Sequence, residues 1–475
     1  MVAEFLTIRN LTPTPIALKQ IDRFFPYGHQ HNGFYTMARN FTRAITRASE
    51  PVAVIEPDAQ PFITQEVDVR VEPFQTVQTE LRVVVQDERE RLRLVIEAEG
   101  ERHQIQTPVP TSESATMKAL CDQPRFEFTG IYITPESHLA VYSSAKMNAW
   151  MQELRDETLL SSLSIPGTHN SPTCHVAPPS VRCQAVSPRE QLENGVRFFD
   201  IRVQPQCPDD PAREELILVH SVFPISLTGS KYFRDLMYEV NEFLELNPSE
   251  TLIVSVKREG PGKHTDQQLS RILYDHYAGP GSRWYTAPRV PTLGEVRGQI
   301  VLVRRFDLEE SLHDEHDGLG WGIDASSWAD NTPHATCPSG QICIQDFYEV
   351  LKTEIITKKI EYVCEHLGRS GITRYPYNLQ KQQHLHLTAG SGHQHHPFFI
   401  NFLSASNFWN VSTWPEEIAA KLNPATVDYL CRKHSEKEDG DWSTGILVTD
   451  WVGRNGDWDL VRCIVGMNAK LRSRG

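Results

Sequence analysis

Long hydrophobic runs are missing from this 475-residue chain. No stretch of about 18 consecutive apolar residues occurs, so no membrane-spanning helix is expected. Basic runs are missing as well. Lys and Arg total 47 against 61 Asp and Glu, a net charge of −14. Without a Lys/Arg-rich stripe, nucleic-acid binding is excluded. The acidic balance also disfavours a standing attraction to anionic bilayers, so any lipid contact is expected to be transient and peripheral. The opening MVAEFLTIRN lacks the basic and apolar regions of a secretory signal. There is no CxxC pair and no internal repeat. The nine cysteines (Cys121, Cys174, Cys183, Cys207, Cys337, Cys343, Cys364, Cys431, Cys463) are scattered and odd in number. That is the pattern of reduced thiols in an intracellular protein, cytoplasmic or peripheral to a membrane. Cys174 and Cys183 are near enough in sequence to share a loop.

What is present falls into two textures. In residues 1–145 the segments FLTIRN, VAVIEP, ITQEVDVRV, LRVVVQ, LRLVIEA, RHQIQT and FEFTGIYIT are short, β-rich and often alternating. Such a series predicts an antiparallel β-sandwich or small barrel with a structural or docking role. Residues 146–475 carry eight strand-like segments separated by helical or irregular stretches: 163–169, 196–203, 216–221, 251–258, 299–305, 342–348, 397–404 and 445–451. Several are continuous apolar runs, as buried parallel strands are. Helices are expected over 232–247, before Pro248, and over 347–368, ending at Gly368. The fold class expected is α/β, a (β/α)₈ TIM-like barrel preceded by the β-sandwich. QQHLHLTAGSGHQHH holds five histidines but is broken by Gly and Ser; it reads as a loop.

Ionisable residues collect at the C-terminal ends of the barrel segments: His169, Arg202, His220, Lys257, Arg305, Asp346 and Asp450. The C-terminal rim is where barrels of this kind build active sites. Packing would explain one or two such positions, not seven.

In order along the chain, LSIPGTHNS, GVRFFDIRV, LVHSVFPI, NPSETLIVSVKRE, LGEVRGQIVLVRRF, SSWADN, IQDFYEV, INFLSAS and GILVTDWV resemble the X region of phosphatidylinositol-specific phospholipases C. The resemblance covers residues 150–475. It implies His169 as general base, Asp450 as the group orienting it, and His220 as general acid. Cleaving a phosphodiester beside a free hydroxyl needs such a base and acid, and a cation for the transition-state charge. The resemblance assigns ring contacts to Lys257, Arg305, Asp346 and Tyr348, and gives SSWADN and INFLSAS the role of loops shaping the mouth. The substrate implied is an inositol phospholipid, cleaved to diacylglycerol and inositol 1,2-cyclic phosphate.

Arg202 stands where calcium-dependent relatives carry a metal-holding carboxylate. Metal-independent members place an arginine there, which meets phosphate directly. No cofactor or metal is therefore expected. Asn170 departs from the metal-independent pattern, which has an aspartate partnered to the second histidine; an amide there can bond His220 but adds no charge. Were calcium used, Asn170 and Asp200 would be its ligands. Phe408, Trp409 and Trp414 lie in NFWNVSTW after the seventh segment and are candidates for bilayer contact. Two other readings fit the residues. One is a phosphodiesterase for another glycerophosphodiester or a sphingolipid, against which Arg202 counts. The other is a non-catalytic lipid-binding or scaffold barrel, against which both histidines count.

Overall fold

The computed structural model describes residues 5–24, 55, 59–82, 91–107, 113–134, 136–210, 212–376, 396–407, 409–436 and 440–473. Most of VAVIEP, most of LRVVVQ, Phe408 and nearly all of the histidine-rich stretch lie outside these residues. The chain divides into two compact units, Met1–Ser144 and Ala145–Gly475.

Among the described residues the first unit contains ten strands: β1 (Phe5–Asn10), β2 (Ile16–Phe24), β3 (Ile63–Val71), β4 (Thr76–Arg82), β5 (Arg91–Ala98), β6 (Glu101–Thr107), β7 (Ser114–Thr116), β8 (Lys118–Ala119), β9 (Phe128–Ile133) and β10 (His138–Ser143). They form two five-stranded sheets, ordered β4-β1-β10-β9-β7 and β3-β2-β5-β6-β8. One buried cluster takes Ile8, Leu139 and Val141 from the first sheet and Leu18, Leu94 and Ile96 from the second. The sheets thus bury one face each against a shared core. Edge strand β3 is mostly exposed, as its charged ITQEVDVRV sequence requires.

The second unit contains β11 (Ile165–Thr168), β12 (Phe198–Pro205), β13 (Leu216–His220), β14 (Phe223–Pro224), β15 (Leu252–Arg258), β16 (Trp284–Tyr285), β17 (Ile300–Arg305), β18 (Ile323–Asp324), β19 (Ala335–Thr336), β20 (Ile342–Gln345), β21 (Phe398–Phe402) and β22 (Ile446–Thr449). A parallel ladder runs β17-β15-β12-β11-β22-β21-β20, with β18 parallel to β17. Among the described residues no pairing joins β18 to β20, so the ladder has one open seam. Side chains alternate across it. Phe198, Ile253, Val301, Ile323, Ile344, Ile400 and Val448 enter one common interior cluster. Their neighbours Phe199, Val254 and Leu302 pack outward. There they meet α1 (Pro188–Glu193) and α2 (Phe233–Leu246). Helix α2 buries Phe233, Leu236, Met237, Val240, Phe243 and Leu244, the one-sided spacing of an amphipathic helix.

Two expectations change. Segment 216–221 is not a parallel member of the ladder. It is β13, antiparallel to β12, with Val203 opposite Leu218. Only residues 206–215 separate the two strands, too few for the crossover that a parallel pair requires. The two-residue β18 joins the parallel set instead; two residues leave no periodicity to read. The second expected helix is α3 (Ile355–Ile372), starting later than 347 and running through Gly368. A mid-helix glycine costs only about 1 kcal/mol, so it does not end the helix.

At the opposite ends of the strands from the rim, Arg197 and Glu250 form a fully buried ion pair at 2.9 Å. Arg197 also donates to the carbonyls of Leu192, Val196, Met147 and Asn148.

Candidate active site

His169, Arg202, His220, Lys257, Arg305, Asp346, Tyr348 and Asp450 line one cavity of about 600 Å³. His169 follows β11 and Asp450 follows β22. These strands are parallel neighbours with Thr168 opposite Thr449, so the next residue of each lands beside the other. The residues after His169, His220 and Asp450 all turn sharply: Asn170, Ser221 and Trp451 have φ of 43°, 55° and 54°. Left-handed backbone at non-glycine residues is strained and concentrates at functional sites. Here it breaks each strand just after its ionisable side chain.

His169 Nδ1 lies 2.9 Å from Asp450 Oδ1. Asn170 Nδ2 donates to His169 Nε2 at 3.1 Å, which puts the shared proton between Nδ1 and the carboxylate. Burial pushes both partners toward their uncharged forms. His169 falls well below its ordinary value, through burial and then the charges of Arg202 and His220. Asp450 rises through burial. His169 therefore rests neutral, with Nε2 as its lone-pair nitrogen.

His220 stands at the end of β13, its ring perpendicular to that of His169 with centroids 5.8 Å apart. Its Nδ1 donates to the Val181 carbonyl at 2.7 Å. Burial and then Arg202 lower its pKa, while the Val181 carbonyl opposes them. The expected contact between Asn170 and His220 is not made. The turn that accepts Thr173 N–H on the Asn170 carbonyl aims the Asn170 amide at His169 instead.

Asp200 is fully buried, and its oxygens accept from Arg202 Nη2 and Arg305 Nη1, both at 3.3 Å, and from Asn170 N–H. Burial would raise this carboxyl; the Arg202 and Arg305 charges outweigh it and hold it low. Neither Asn170 nor Asp200 lines the cavity. Calcium takes 6–8 oxygens; here both Asp200 oxygens already meet guanidinium groups, and the Asn170 amide nitrogen faces a histidine.

Sequence reasoning passed over Glu259, two residues beyond Lys257. It accepts from Arg202 Nη1 at 2.9 Å, Lys257 Nζ at 3.0 Å and Ser221 N–H at 2.7 Å. Burial opposes its ionisation, but the Arg202 and Lys257 charges bring its pKa down to about 2. Arg202 keeps one buried donor, Nε, without a hydrogen-bond partner among the described residues. SSWADN and INFLSAS do more than shape a mouth. The Arg305 guanidinium lies 3.5 Å over the Trp328 ring, and Asp330 accepts from the Tyr348 hydroxyl at 2.9 Å. Ser404 and Ser406 line the cavity. Alternation was a usable signal for Glu259, which lies one residue past the end of β15 and two residues from Lys257. Asp346 is buried, which raises its carboxyl despite the Arg305 charge.

Trp409 lines the cavity and is 89% exposed. Leu351 and Val411 are also exposed, and Asn410 donates to the Leu351 carbonyl. Trp414 is half-buried at the start of the helix Pro415–Arg432. Among the described residues no helix is long and apolar enough to cross a membrane.

Comparison with known proteins adds a second line. Residues 157–306 match the family described as phosphatidylinositol-specific phospholipase C, X domain. The chain is 32% identical over 320 residues to a 1-phosphatidylinositol phosphodiesterase of Listeria monocytogenes, covering 66% of this chain and 83% of that protein. It is 25% identical over 349 residues to one of Staphylococcus aureus, covering 70% and 97%. A solved structure of a phosphatidylinositol-specific phospholipase C from S. aureus superposes with a TM-score of 0.52 at 23% identity, covering 68% of this chain and 97% of the other.

Proposed function

Because the chain belongs to the family of phosphatidylinositol-specific phospholipases C, we propose that it cleaves phosphatidylinositol by intramolecular phosphoryl transfer without a metal ion. The observation that carries this reading is the pair His169 and His220, perpendicular rings 5.8 Å apart on a cavity that Arg202 also lines. We read the parallel strands of the second unit as an irregular (β/α)₈ barrel, open at the β18–β20 seam, and the first unit as a β-sandwich.

In this reading His169 Nε2 takes the proton of the inositol 2-hydroxyl. The oxygen attacks phosphorus, and the bond from phosphorus to the glycerol oxygen breaks. Protonated His220 gives its proton to the departing diacylglycerol alkoxide. The product is inositol 1,2-cyclic phosphate, which water can open in a slower second step. As a carboxylate, the form that the Arg202 charge favours against burial, Asp450 holds His169 in the Nδ1-protonated tautomer and balances the imidazolium, the role of the acid in a Ser–His–Asp triad. Arg202, with its spare Nε donor and a charge fixed by Asp200 and Glu259, meets the phosphate oxygens where calcium-dependent relatives would use a cation. Asn170 supports by bonding His169 and the Asp200 side chain. Lys257, Arg305, Asp346 and Tyr348 hold the inositol ring, with Trp328 setting the plane of Arg305. Contact with the lipid surface is transient and runs through Trp409 and its apolar neighbours.

The test is turnover of phosphatidylinositol by wild type, His169→Ala and His220→Ala. Acid–base groups contribute about 10²–10⁴-fold each, so both variants should fall by that order. Wild-type rates in either variant would remove the assignment.

A further inference from the structure

Behind the two catalytic histidines lies a thiol that the proposed reaction does not use. Cys183 is fully buried, and its Sγ is 3.8 Å from His220 Nδ1. One ligating atom each from His169, Cys183 and His220 all lie within 4.8 Å of one another. We propose that these three residues form an inhibitory site for a borderline-soft divalent cation, of which Zn²⁺ is the type, so that the enzyme works without metal yet is switched off by one.

The donor set decides the metal class. Two imidazoles and a thiolate suit Zn²⁺ and disfavour Ca²⁺ or Mg²⁺, which prefer oxygen. Zn–N near 2.1 Å and Zn–S near 2.3 Å put tetrahedral ligands roughly 3.3–3.6 Å apart. The sulfur–nitrogen edge is already close to that, and the other edges need a contraction of about 1 Å, within the reach of side-chain rotation. Histidines that bind metal are usually oriented through their other ring nitrogen by a carboxylate or a carbonyl. Asp450 stands at His169 Nδ1, so that support is built; His220 Nδ1, the nitrogen beside Cys183, gives up the Val181 carbonyl to take the ion.

The thiol is held firmly. Cys183 N–H donates to Thr173 Oγ1 at 3.1 Å, and the Cys183 carbonyl accepts from Trp451 N–H at 2.8 Å, the residue after Asp450. Neighbouring Gln184 donates to the carbonyls of His169 and Thr449. Binding costs a proton: burial pushes the thiol well up, and it must release that proton to solvent as the metal–sulfur bond forms. Nothing is oxidised or reduced. The bound ion occupies the His169 lone pair that would take the hydroxyl proton and keeps His220 from becoming the imidazolium that acts as acid, so inhibition follows directly.

The inhibitory reading rests on the acid–base roles proposed above; the site itself does not, and the experiment separates them. Zn²⁺ is titrated into phosphatidylinositol turnover by wild type, Cys183→Ser and Cys183→Ala in metal-free buffer. Co²⁺ is added to the same proteins and followed by absorption. Wild type should lose activity, regain it with EDTA, and show a thiolate-to-cobalt band in the near ultraviolet. The variants should keep the uninhibited rate, lack that band, and need about 10–100-fold more Zn²⁺, the scale on which weakened metal sites respond. Equal Zn²⁺ sensitivity in wild type and both variants, or no thiolate band in wild type, would overturn the proposal. A cobalt band in a protein that cleaves no phosphatidylinositol would uphold the metal site and remove the reaction.

Discussion

His169 and Asp450 stand 281 positions apart in sequence and meet at 2.9 Å. The contact follows from register. Thr168 pairs with Thr449 on the parallel strands β11 and β22, and each strand breaks one residue later. Pairing β11 with β22, the first and last strands of the second unit in chain order, therefore builds the proposed base and its orienting acid in one step, and this dyad should dominate the pH behaviour.

Both histidines are held below the ordinary imidazole value of 6.5, His169 further than His220. A base must be deprotonated, so kcat/KM rises with pH through the depressed His169 pKa. An acid must be protonated, so kcat/KM falls as pH climbs through that of His220. The free enzyme's profile is then a bell with its maximum on the acidic side of 6.5. A pH series on a monomeric substrate checks this; a flat profile or an alkaline optimum would reverse the assignment.

Arg202 bridges Asp200 and Glu259 and keeps a donor for the phosphate. Arg202→Met should lower kcat by about 10²–10³-fold, as loss of a preorganised charge-stabilising donor does. Steady-state rates in EDTA read the effect. A change confined to KM would make Arg202 a ground-state ligand only.

Trp409 is 89% exposed beside the cavity. Trp409→Ala should weaken turnover on phosphatidylinositol vesicles more than on a monomeric substrate, because an exposed tryptophan favours the bilayer interface. Equal losses on both substrates would make it a pocket residue.

The Arg197–Glu250 pair is buried on both sides. Arg197→Met leaves the Glu250 charge uncompensated and should destabilise the second unit by about 3–5 kcal/mol. Denaturant unfolding measures it; a loss under about 1 kcal/mol would mean that Glu250 takes up a proton at little cost.

Much of the site was legible because parallel-strand chemistry is written locally. Each reactive residue ends an apolar run, and the runs themselves mark buried strands. What was hidden is what depends on tertiary pairing. The antiparallel turn of β13 and the two-residue β18 leave no distinct pattern in their own residues. Glu259 looks like an ordinary charge after Lys257 until Arg202 and Ser221 arrive beside it. The aim of Asn170 was misread because one backbone angle, φ of 43°, decides which histidine its amide meets. Cys183 gave no signal at all: its nearness to His220 comes from the loop between β11 and α1 folding back under β13.

The most direct measurement is phosphorus NMR of the full chain with phosphatidylinositol micelles in excess EDTA. The account predicts a cyclic inositol phosphate resonance first, replaced slowly by the acyclic monophosphate, with no gain when calcium is restored. Turnover that begins only with calcium, or acyclic phosphate with no cyclic precursor, would contradict it.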